Sequence, residues 1–68
     1  MPRSILKQAR RDKGLTQQEI AEYLYISLPH YKNIESGKRI GSFEIWDMLE
    51  DLLSSHQRVL RQCFDSEG

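Results

Sequence analysis

The chain has 68 residues, ten Lys/Arg against ten Asp/Glu, and one cysteine. That length suits one small domain with a thin margin of stability, and a lone cysteine excludes an internal disulfide and fits a reducing cytoplasm. No apolar run approaches the roughly 20 residues that span a bilayer, and the segment from Met1 to Lys7 has no signal-peptide core.

The neutral total hides an asymmetry. Residues 1–41 carry eight Lys/Arg and four Asp/Glu, a balance of +4, whereas residues 42–68 carry two and six, a balance of −4. A basic N-terminal part of this kind can face phosphates while the acidic end faces away. Small domains also show such asymmetry without any function attached.

A first helix is expected over about residues 3–13, with Pro2 near its start. Leu6 and Ala9 form a thin inward stripe, Ile5 stands beside it, and Gly14 ends the helix. Leu15 leads to Thr16, an N-cap with Glu19 three residues on, the spacing of a capping box. Ile20, Ala21 and Leu24 then give a helix over about 17–24 one apolar face. Tyr25 and Ile26 fill a tight turn, and Ser27 caps a third helix over about 28–36 with Pro29 in its first turn. Tyr31 and Ile34 face inward, and Gly37 ends the helix in the left-handed conformation. Two capped helices joined by a short turn match a helix-turn-helix, whose second helix lies in the DNA major groove.

Residues 38–41 are expected as a loop, and Ser42 caps a fourth helix over about 43–53, with Glu44 complementing its dipole. Phe43, Trp46, Leu49 and Leu53 make a core stripe, and Ile45, Met48 and Leu52 a second stripe beside it. After Ser54-Ser55 a fifth helix over about 56–64 carries Val59, Leu60, Cys63 and Phe64 on one side, and residues 65–68 form a frayed tail. The pattern implies an all-α, compact five-helix bundle in a single domain of residues 1–68. The apolar faces of the last two helices are wider than such a domain needs. Ile45, Met48, Leu52, Val59, Leu60, Cys63 and Phe64 are therefore expected to form a homodimer surface. The alternative is that the fifth helix simply closes the bundle.

The chain resembles the Cro/phage-repressor-type, or xenobiotic-response-element-like, helix-turn-helix family, with a lambda-repressor-like fold. The resemblance rests on Leu6, Ala9 and Arg10, on Lys13 through Ala21, on Ser27, on Ile34 through Arg39, and on Ser42-Phe43-Glu44, over roughly residues 3 to 53. It implies that Arg10 pairs with Glu35 to lock the first helix onto the third, a planar guanidinium holding a carboxylate by two hydrogen bonds. It makes the third helix the recognition helix, with Leu28, Pro29, Lys32 and Asn33 facing the bases. Asn33 can pair with adenine, Lys32 can reach guanine or phosphate, and Leu28 can pack on a thymine methyl; Pro29 offers shape alone. Gln17 is a family phosphate position at a helix N-terminus, and Lys38 and Arg39 are suited to the DNA backbone. His30 either contacts phosphate or is simply solvated. Three residues depart from the family: Tyr25 stands where glycine is usual, Gly41 near a usual proline, and Glu50 where a small residue is usual. The first implies a strained or altered turn, the second a slightly looser loop.

The sequence has no glycine-rich phosphate loop, and His30, His56 and Cys63 lack zinc-type spacing. Nothing places a nucleophile beside a base. No enzyme activity, cofactor, metal or small-molecule ligand is expected. The resemblance implies a cytoplasmic, nucleoid-associated regulator, a repressor of bacterial or phage type that binds a pseudo-palindromic operator of double-stranded DNA as a dimer. A second reading keeps the fold but makes it a protein-interaction module: an antirepressor, an antitoxin-like subunit or an accessory factor. A third makes it an excision or architectural factor that bends DNA.

Overall fold

The computed structural model describes residues 2–61, which form α1 (Ser4–Asp12), α2 (Gln17–Leu24), α3 (Leu28–Ser36), α4 (Phe43–Leu53) and α5 (Gln57–Leu60). The helix starts follow the capping residues. Thr16 Oγ1 accepts from the Glu19 N–H at 3.0 Å, while the Thr16 N–H donates to Glu19 Oε1 at 2.8 Å, which completes the capping box. Ser27 Oγ accepts from the His30 N–H, and Ser42 Oγ from the Ile45 N–H, both at 3.2 Å. Pro29 occupies the first turn of α3, where its missing N–H leaves no intrahelical bond unmade. Gly37, at φ +89°, ends α3.

Leu6 of α1, Ile20, Ala21 and Leu24 of α2, Tyr31 and Ile34 of α3, Ile45, Trp46, Leu49 and Leu53 of α4, and Leu60 of α5 form one buried cluster. Trp46, the largest side chain in it, is 1% exposed. At about 100° per residue, the buried arc of α4 centres between Leu49 and Leu53, and Phe43 stands roughly 100° from that centre, about 60° beyond Trp46 at the edge of the arc. Phe43 is therefore 77% exposed and does not join the core stripe expected of it. Ile45 falls inside that arc and is buried, as is Leu60. These two residues, expected on a dimer surface, are interior positions of the monomer. Met48 and Leu52 pack partly against the core, and Val59 is exposed. Cys63 and Phe64 lie outside the described residues.

The loop after α3 is held from two sides. The Trp46 indole N–H donates to the Ile40 carbonyl at 2.7 Å. Gly41 has φ +87°, and a Cβ there would lie 3.1 Å from Trp46 Nε1, so any other residue would be strained in the turn and crowd the indole. Arg3 provides the second anchor. Its guanidinium donates to the carbonyls of Ile34, Arg39 and Arg61, the last two at 2.9 and 3.0 Å, and sits 5.3 Å from the Trp46 ring centroid. Its own N–H donates to the Glu35 carbonyl at 2.8 Å. One buried cation thus ties the start of the chain to the end of α3, the loop and the end of α5.

Candidate nucleic-acid interface

The relation between α2 and α3 depends on the turn between them. Tyr25 adopts φ 60° and ψ 39°, the left-handed region that glycine favours, and its ring is 90% exposed. The turn keeps its geometry, and Tyr25 carries a cost of about 1–2 kcal/mol for it. The Ile26 N–H donates to the Ala21 carbonyl at 3.0 Å, and Ile26 packs against the core. This returns the chain into α3 at a defined angle.

A buried polar cluster sets the same angle from the other side. Arg10 Nε donates to Glu35 Oε2 at 2.9 Å and Arg10 Nη2 to Glu35 Oε1 at 3.3 Å, so the guanidinium holds the carboxylate with both arms. The Tyr31 hydroxyl donates to Glu35 Oε2 at 2.7 Å, and the Gln17 side-chain amide to Glu35 Oε1 at 3.0 Å. Arg10 Nη1 also donates to the Leu15 carbonyl at 2.8 Å. The cluster joins α1, the link to α2, the first residue of α2, and α3. Among the described residues, no buried side-chain nitrogen or oxygen lacks a partner.

The charges in the cluster follow from these bonds. Burial by itself would push the Glu35 carboxyl up. The hydrogen bonds from Arg10, Tyr31 and Gln17 and the Arg10 charge outweigh it and hold the carboxyl below the usual range. The hydrogen bond to Glu35 raises Arg10. Burial, followed by the bond to Glu35, drives the Tyr31 phenol far above its usual value, so it remains a donor.

With Tyr31, Ile34 and Glu35 buried, the outer side of α3 is formed by Leu28, Pro29, Lys32 and Asn33. These positions lie at i, i+1, i+4 and i+5, one helical face. Pro29 and Lys32 are exposed, and Leu28, His30 and Asn33 are half-buried. The Asn33 carbonyl accepts from the N–H of Lys38 at 2.9 Å and of Arg39 at 3.1 Å. Both exposed cations are thereby attached to the turn of α3 that carries Asn33. Gln17, expected as a phosphate-contacting position, gives one of its two amide N–H groups to Glu35, which fixes its side chain at the start of α2. Its backbone N–H remains in the first turn of α2, where an anion is favoured.

Three contacts of the cluster and the loop were not expected from the sequence. The bond from Tyr31 to Glu35 had a signal, since the two stand four apart on one helix. Gln17 joins Glu35 across 18 positions and Arg3 binds main-chain carbonyls, and neither leaves a mark in residue spacing.

The helix-turn-helix family pattern matches residues 6–56, 51 of the 68 in the chain. No curated protein and no solved structure matches the chain.

Proposed function

The chain belongs to the Cro/C1-type helix-turn-helix family of DNA-binding regulators, and from that premise we propose that it binds a specific double-stranded sequence as a repressor of bacterial or phage type. The observation that carries this reading is the outer face of α3. Lys32 and Asn33 stand there as base-reading groups, beside Leu28 and Pro29, and Lys38 and Arg39 are attached to the Asn33 carbonyl as phosphate contacts. His30, in the first turn of the same helix, adds a phosphate contact at the groove edge. Two copies on a pseudo-palindromic operator place their recognition helices about one helical turn apart. The chain acts at the nucleoid.

Selection from a random double-stranded DNA pool at two salt concentrations tests the proposal. An enriched inverted repeat, bound far less tightly at the higher salt, is the expected result. Absence of enrichment at low salt would reject operator binding. It would favour the protein-interaction reading, for which the exposed Ile40 and Phe43 are the supporting observation.

A further inference from the structure

The core and the α3 face leave the apolar pair Ile40 and Phe43 without a role. Ile40 is 70% exposed and Phe43 77% exposed, and the two line an open groove with Gly41, Ser42, Trp46 and Arg61. A second groove is lined by Arg3, Ile40, Arg61 and the exposed Arg58 of α5. On the α4 side, Glu44 is exposed next to Phe43. The patch therefore has an apolar middle, arginines on one flank and a carboxylate on the other.

We propose that this patch is the surface on which a second copy of the chain docks, with Phe43 of each copy entering the other's groove and Glu44 of each facing Arg58 of the other. An isologous two-fold interface must be self-complementary. A half-turn rotation about the middle of this patch brings the acidic flank of one copy onto the basic flank of its partner. Of the surface expected from the sequence, Ile45 and Leu60 are buried in the monomer, Met48 and Leu52 are half-buried, and Val59 is exposed.

The inference rests on the operator-dimer reading.

Two apolar side chains and a charged rim make a small interface beside the roughly 800 Å² per partner of a standard one. Association without DNA is therefore weak, with Kd on the order of 100 µM. A nuclear magnetic resonance dilution series of the full 68-residue chain, from about 1 mM downward, reads this range. The expected result is concentration-dependent shifts at Ile40, Phe43 and the Trp46 indole N–H, abolished in Phe43→Asp. That variant places an acid in the first turn of α4, where it favours the helix, so the fold is kept. Glu44→Arg should weaken association several-fold, and adding Arg58→Glu should restore it.

A chain that stays monomeric at about 1 mM would overturn the inference, and is the outcome if the groove serves a different protein. Association that survives Phe43→Asp, or that the double charge exchange does not restore, would overturn it as well. Binding of wild-type chain and Phe43→Asp to the random duplex pool at low salt is scored separately. Wild-type chain that associates through Phe43 but binds no duplex would refute the operator reading alone.

Discussion

Tyr25 and Glu35 show how single residues hold the helix-turn-helix in place. Tyr25 is strained by its left-handed backbone while its ring is almost fully in water, so replacing it removes strain and almost no packing. Tyr25→Gly should stabilise the chain by about 0.5–1 kcal/mol, the relief of strain less the extra freedom glycine gives the unfolded chain. A rise of several degrees in thermal midpoint would register this, and a fall would show that the tyrosine ring contributes packing. Arg10 is the reverse case. Arg10→Ala leaves the Glu35 carboxylate buried without its cation and should cost about 3–5 kcal/mol, most of the stability of a chain this size. Urea titration checks this, and Tyr31→Phe, which removes one of the bonds to Glu35, should cost about 1.5–3 kcal/mol by the same measurement.

At the scale of elements, α2 and α3 act as one body because the turn and the Glu35 cluster both constrain their angle. The outer face of α3 and the two cations after it then make different demands on DNA. Asn33→Ala should lose about 1–3 kcal/mol at particular base pairs and little elsewhere. Arg39→Ala should weaken all sequences alike and lower the salt slope by about one unit. Competition binding across a set of selected and scrambled duplexes separates the two, and an even loss in both variants would reject Asn33 as a base-reading residue. The Arg39 carbonyl, not its side chain, accepts from Arg3, so the loop should survive that substitution.

In the molecule as a whole, Arg3 and Glu35 are the polar centres that join elements distant in sequence. Arg3→Met keeps the buried stem but removes the guanidinium bonds to three carbonyls, of which that of Ile34 keeps another donor, the Gly37 N–H. It should destabilise by at least about 2 kcal/mol and speed hydrogen exchange in residues 38–41 and at the Trp46 indole. Glu35 governs the acid limb of stability. Its folded carboxyl lies below its unfolded value, so its contribution is complete above the unfolded value of about 4.3 and is lost as pH falls through the folded one. Denaturant midpoints measured from neutral pH into the acid range should fall in that window, and Glu35→Gln should flatten the fall. An equally steep fall in the variant would assign the acid limb to other carboxylates.

The sequence by itself determined the helix starts, the helix-turn-helix and the family. Caps such as Thr16, Ser27 and Ser42 act within three residues, so their effect is visible in local spacing. The pairing of Arg10 with Glu35 was available only through resemblance, since nothing in a 25-residue separation announces it. Tertiary structure alone decided which apolar residues of α4 face inward. Phe43 and Ile45 are equally apolar, and only the direction of the neighbouring helices sets which of them is covered. It also decided that Arg3 is a buried anchor, because its partners are backbone carbonyls that every residue possesses and that only the folded chain brings together.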